Sequence, residues 1–166
     1  MRLIPITLCA AVLVLAASCG SHQEYKTDSL GVEVTAEQNR EYSYTDKQAG
    51  YWYGTTHQKD LQWYSGWNMA KKRVLADYTL SVDGKPLDRS EAECTVYPDR
   101  LVRKWDNAVE TFRMLDNRPI LHVSLETEAA NTSMSLDQTL ITESYEDGDF
   151  MFFVPGEAPD MRIMLG

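Results

Sequence analysis

The amino-acid sequence predicts an all-β protein folded as an antiparallel β-sandwich, and three observations carry that expectation. From Val74 to Val82, residues Val74, Ala76, Tyr78, Leu80 and Val82 fall on one face, with Arg73, Asp77, Thr79 and Ser81 mainly on the other. This is the period of two that marks a half-buried strand. Similar segments recur at intervals of about eight to twelve residues, separated by turn chemistry, which is the spacing of a sandwich. No stretch carries a convincing helical period, a sequence repeat or a heptad.

Short strands are expected over 32–36 and 40–45, the second rich in tyrosine. Between Asp46 and Lys72 neither period is clean, so this part reads as a long loop or a pair of short strands with excursions. Asp83-Gly84-Lys85-Pro86 supplies a residue tolerant of positive φ and a rigid ring. Ala92, Cys94 and Val96 then repeat the alternation, so a hairpin between 74–82 and 92–96 is the economical expectation. Pro98-Asp99, Asp106-Asn107 and Asp116-Asn117-Arg118-Pro119 punctuate further strands over 100–105, 108–115 and 120–126. A polar link over 128–133 leads to one or two strands within 134–144. After the turn Glu146-Asp147-Gly148-Asp149, the apolar run 150–154 predicts a strand buried on both faces, followed by an alternating fragment over 161–165.

A chain of 166 residues suits one domain with a real core and is short for two. The first eighteen residues are excluded from the fold: Arg2, an apolar segment from Leu3 to Leu15, and Ala16-Ala17-Ser18 before Cys19 make a secretory leader with its cleavage site. This arrangement resembles a bacterial lipoprotein signal, with Ala16 where leucine is commoner. That resemblance implies acylation of Cys19 and a firm membrane anchor without a spanning helix. Residues 19–30 then read as a tether and 31–166 as the sandwich domain. Cys9 leaves with the leader and Cys19 carries lipid, so Cys94 remains alone, an inert thiol on the apolar side of its strand.

Lys and Arg total 16 against 25 Asp and Glu, a net charge of -9, and such a chain repels phosphate backbones, excluding nucleic acid as an expected partner. His22, His57 and His122 show no ligand spacing, so no metal site is expected. No nucleophile elbow, P-loop or dinucleotide fingerprint occurs, and no cofactor is expected. His57 with Asp60 could form a dyad, although a loop residue bonded to its neighbour is the blander reading. Asp77, Glu91, Glu93, Glu110 and Glu126 fall mostly on outward strand faces, where solvation is their default role. One concentration stands out: Tyr51, Trp52, Tyr53, Trp63, Tyr64 and Trp67. Flat rings with a polar edge suit the apolar face of a pyranose, and Asn68, Gln62 and Asp60 could serve its hydroxyls. Trp52, Tyr53, Trp63, Tyr64 and Trp67 are therefore the candidate carbohydrate contacts. The alternative is that these rings close one end of the sandwich as core.

Two runs, TDKQAGYWYGTTHQKDLQWYSGWNMAKKRVLADYTLSVDGKPLDR from Thr45 and TVYPDRLVRKWDNAVETFRMLDNRPILHVSLE to Glu126, together resemble the N-terminal domain of Bacteroidetes glycoside hydrolases of amylo-α-1,6-glucosidase or glycogen-debranching type. The resemblance covers roughly residues 46–154 and rests on overall likeness. It implies a β-super-sandwich that packs on an (α/α)6 six-hairpin barrel, the barrel carrying the general acid and base. Only twelve residues follow Val154, so the chain is expected to be a fragment ending before that barrel, and no catalytic residue is assigned. The implied function is the non-catalytic N-terminal domain of a lipid-anchored glycoside hydrolase acting on α-glucan-like carbohydrate. The alternative is a complete small envelope lipoprotein that binds glycan or a protein partner. Gly20-Ser21-His22-Gln23 lacks the acidic run common after the cysteine of surface-exported lipoproteins, so the periplasmic side of the outer membrane is the expected location.

Overall fold

The computed structural model describes residues 26–59, 62–115 and 118–166. Their strands are β1 (Val32–Val34), β2 (Glu41–Thr45), β3 (Tyr51–Thr55), β4 (Gly66–Met69), β5 (Lys72–Leu75), β6 (Tyr78–Val82), β7 (Lys85–Pro86) and β8 (Glu93–Val96). They continue with β9 (Leu101–Trp105), β10 (Ala108–Met114), β11 (Leu121–Thr127), β12 (Thr132–Leu136), β13 (Ile141–Asp147), β14 (Phe150–Pro155) and β15 (Ile163–Leu165). Short 3-10 turns at Asp28–Leu30, Arg89–Glu91 and Gln138–Leu140 are the helical pieces among the described residues. The protein is thus all-β, with every strand pairing among the described residues antiparallel.

Four sheets surround one core. A five-stranded sheet runs β1-β8-β9-β10-β11 and a four-stranded one β2-β3-β4-β5, with three-stranded sheets β12-β6-β7 and β13-β14-β15 beside them. Phe112 of β10 is fully buried at the centre. Its ring meets Trp52 at 5.1 Å and Tyr78 at 6.0 Å with planes nearly parallel, and Tyr42 and Tyr44 at 6.1 and 6.2 Å. Such aromatic pairs add about 0.5–1.5 kcal/mol each beyond their buried area. The sandwich-like packing is therefore an aromatic seam: the five-stranded sheet supplies Phe112, the four-stranded sheet Tyr42, Tyr44 and Trp52, and β6 supplies Tyr78.

The Asp46–Lys72 region resolves into the pair of short strands β3 and β4. The expected hairpin between 74–82 and 92–96 does not form. Asp83 (φ 48°) and Gly84 (φ 75°) do reverse the chain, between Val82 and Lys85, with the doubly positive φ of a type I′ turn. The return strand stops at Pro86, however, which has no N–H to continue a ladder. Asp88 then caps the 3-10 turn through Ser90 N at 2.9 Å, and β8 joins β1 and β9 instead. Nor is 74–82 one strand: the chain leaves the four-stranded sheet after Leu75 and enters another at Tyr78. Asp77 makes that corner, its Oδ1 accepting the Tyr78 N–H at 2.8 Å.

Two further expectations change. The run 150–154 is buried on both faces only at its end: Phe153 and Val154 are buried, while Phe150 is 44% exposed. The segment read as a tether through Leu30 is held to the body from Thr27 on. The Arg100 guanidinium, itself 5% exposed, donates to Thr27 Oγ1 at 3.0 Å and to Asp28 Oδ1, and lies 3.9 Å over the Tyr97 ring. The leader and Cys19 lie outside the described residues.

Candidate functional site

Strand alternation divides the aromatic cluster in two. Trp52 and Trp67 face each other in register across β3 and β4, are 3% and 8% exposed, and belong to the core. Their Nε1–H groups have no hydrogen-bond partner among the described residues. Buried rings offer no face to a ligand, so these two candidates are structural. Tyr53, one residue along β3, points the other way and is half-buried.

Tyr53, Tyr64 and Trp63 form a continuous surface group. Tyr53 and Tyr64 meet edge to face with centroids at 4.8 Å, and Tyr64 meets Trp63 at 5.3 Å and 88°. Trp63 is 81% exposed. The loop that carries it is fixed from below. Ser65 N donates to Gln62 O at 3.0 Å, Arg73 Nε to Ser65 O at 2.5 Å, and Asn68 Nδ2 to the Tyr64 and Gly66 carbonyls at 2.8 and 3.2 Å. Gly66 sits at φ 93°, where a β-carbon would lie 2.2 Å from the Leu75 carbonyl oxygen, so no other residue fits. Asn68 thus supports the loop and is not free to bind a hydroxyl. Asp60 lies outside the described residues.

Acidic residues read as solvated prove to be of two kinds. Glu91, Glu93 and Glu126 are exposed. Asp77 and Glu110 are buried, at 8% and 1%. Asp77 takes a fork of two 2.9 Å bonds from Arg89 Nη1 and Nη2, and Arg89 also donates to Tyr78 O at 2.8 Å. Glu110 Oε2 accepts from Arg103 Nη1 at 2.9 Å and Oε1 accepts from the Tyr78 hydroxyl. Arg103 reaches on to the carbonyls of Thr56 at 2.8 Å and Thr55 at 3.2 Å. Burial pushes the Glu110 carboxyl up, but the Arg103 charge outweighs it and holds the carboxyl below the usual glutamate value. A cleft of about 190 Å³ opens beside this network, lined by His57, Asp77, Tyr78, Arg89 and Trp105 among others. Asp77 and Arg89 are bonded to each other and Glu110 to Tyr78 and Arg103, while Lys59 bonds Asp137 and Asp88 bonds Ser90, so the cleft reads as a structural tie.

His57 belongs to the same tie. A relay runs from Arg40 N to Thr56 Oγ1 at 3.0 Å, from Thr56 Oγ1 to His57 Nδ1 at 2.8 Å, and from His57 Nε2 to Ala92 O at 3.1 Å. Burial holds the imidazole below its ordinary pKa. Both ring nitrogens are engaged, which leaves His57 no nitrogen with which to act as a base. Cys94 is buried and its thiol is pushed up to about 11 by desolvation. Among the described residues, no group of three His, Cys, Asp or Glu side chains is placed to hold a metal ion, and no helix is long and apolar enough to cross a membrane.

The residues therefore define an antiparallel, all-β, sandwich-like domain whose polar interior is structural and whose ring surface is presented outward. Comparison with protein-family models, curated proteins and solved structures finds no match to the chain.

Proposed function

We propose that this chain is the non-catalytic β-sandwich part of a lipid-anchored glycoside hydrolase acting on α-glucan-like carbohydrate, with Trp63, Tyr64 and Tyr53 as its sugar-facing surface. One observation supports this above the others: an indole that is 81% exposed, braced by the Tyr64 ring, which Tyr53 of β3 holds in turn. Exposed indole gains nothing from solvent, whereas a pyranose face would cover it. Hydrolysis would come from residues outside this chain, on the six-hairpin barrel that the resemblance implies, and acylated Cys19 would hold the domain on the periplasmic side of the outer membrane.

Affinity electrophoresis through gels containing glycogen or amylopectin tests the sugar contact. The chain is expected to be retarded, Trp63→Ala and Tyr64→Ala to run freely, and unchanged retardation of Trp63→Ala would sink the reading. Release of reducing sugar by the purified chain would contradict its non-catalytic part. Palmitate labelling that persists in Cys19→Ser would remove the anchor. The second reading is a complete small envelope lipoprotein with a protein partner, favoured by exposed apolar side chains outside the ring cluster, Tyr145, Phe150 and Met164.

A further inference from the structure

We infer that the outer face of the β13-β14-β15 sheet docks a separate protein whose contact surface has an apolar centre and a rim of Lys and Arg. The inference is independent of the glycan reading. In β14 and β15, one face is core: Met151, Phe153, Ile163 and Leu165 pack on the main cluster, while β13 flanks them as an exposed edge strand. The opposite face should then be polar, as it is where an antiparallel sheet meets water. It is instead apolar at its middle. Tyr145 pairs with Phe152, and Phe152 with Met164, so the three form one row across all three strands, with Phe150 opposite Asp147 beside it. Tyr145, Phe150 and Met164 are 46%, 44% and 57% exposed. The Tyr145 and Phe152 rings are stacked at 5.2 Å and 9°, so the row is already ordered.

Charge selects the occupant. Glu143 and Asp147 share the Tyr145 face by alternation along β13, and Asp149 stands in the adjoining turn. No described residue pairs with these carboxylates, and the chain has no Lys or Arg between Arg118 and Arg162. Arg162, exposed just before β15, turns its Nη1 to the Pro159 and Met161 carbonyls at 2.8 and 2.6 Å, so carboxylates outnumber cations around the row. An apolar patch whose rim is predominantly negative marks a docking surface for the opposite sign. A second copy of this chain placed face to face would set Glu143 and Asp147 against their equivalents, and an anionic lipid surface would be repelled likewise.

The probe is a synthetic peptide with a Leu-Phe-Val-Leu centre and two lysines at each end, compared with its glutamate-flanked twin, by amide shift mapping on the isotope-labelled chain. The lysine peptide is expected to perturb β13–β15, with affinity falling on the order of tenfold between low salt and roughly 0.3 M salt. Glu143→Lys with Asp147→Lys is expected to lose that peptide and gain the glutamate twin, and Tyr145→Ser with Met164→Ser to lose the lysine peptide without gaining the twin. These side chains are exposed, and unchanged circular dichroism would confirm that the variants fold. Shifts mapping elsewhere, equal binding of the twin, or a dimer in sedimentation that Met164→Asp dissolves would each overturn the inference.

Discussion

Arg103 and Glu110 are cross-strand neighbours on β9 and β10, joined at 2.9 Å in the middle of the core with side chains only 1% and 2% exposed. A buried pair of this kind contributes little relative to an apolar pair of the same shape, yet breaking it leaves an uncompensated charge.

Arg103→Met or Glu110→Leu alone is therefore expected to cost about 3–5 kcal/mol. The double variant should recover part of that loss, the remainder reflecting the Thr55 and Thr56 carbonyls and the Tyr78 hydroxyl left without partners. Urea denaturation of the three variants checks this, and a double variant less stable than both singles would contradict it.

The same interior makes the fold acid-sensitive in two stages. Burial holds His57 below the ordinary imidazole value, and Glu110 lies below the ordinary carboxylate value. At Asp137, burial pushes the carboxyl up, but bonds from Lys59 and Thr139 hold it at about 2. Each folded pKa is depressed, so each contribution is complete above the unfolded value and is lost as pH falls through the folded one. The urea midpoint should begin to drop below about pH 6.5, where an unfolded histidine takes its proton, and again below about pH 4. His57→Gln should shrink the first stage and leave the second unchanged, the remainder of the first coming from His122, which burial and Arg113 also hold below the ordinary imidazole value.

The β4–β5 turn offers a gain in stability. Met69 pairs with Lys72, and the two residues between them, Ala70 and Lys71, sit at φ 47° and 66°. That is a type I′ turn made without Asn or Gly, and left-handed conformations cost ordinary residues roughly 1–2 kcal/mol each. Ala70→Asn with Lys71→Gly should raise stability by about 1–2 kcal/mol, read as a higher melting temperature with unchanged gel retardation.

Cys94 should be silent in the folded protein. With its thiol 3% exposed and raised to about 11, a chain carrying Cys9→Ser and Cys19→Ser should react with a chromogenic disulfide only as fast as it unfolds. Prompt reaction in native buffer would show the β8 core to be open.

Much of this architecture was legible because it is local. The strands over 101–105, 108–114 and 121–127, the Asp83-Gly84 reversal and the lack of α-helices among the described residues follow from period and turn chemistry. What a local pattern does not hold is the choice of partner. Nothing within 74–82 says that the chain changes sheets at Asp77, because the cause is Arg89, twelve residues on. The inward charges do carry a local signal: Glu110 is in phase with Ala108, Phe112 and Met114, and Arg103 with Leu101. The same alternation separates Trp52 from Tyr53, so the aromatic cluster could not have acted as a unit.

The Arg100 clamp on Thr27 and Asp28 has a consequence for reach. If Cys19 carries lipid, only the eight residues 19–26 lie between the bilayer and the fixed body, and a chain of that length spans at most roughly 26–29 Å. The point where the body is fastened would then stay within about one membrane thickness of the lipid surface, and anything met farther out would have to be reached by the breadth of the domain itself.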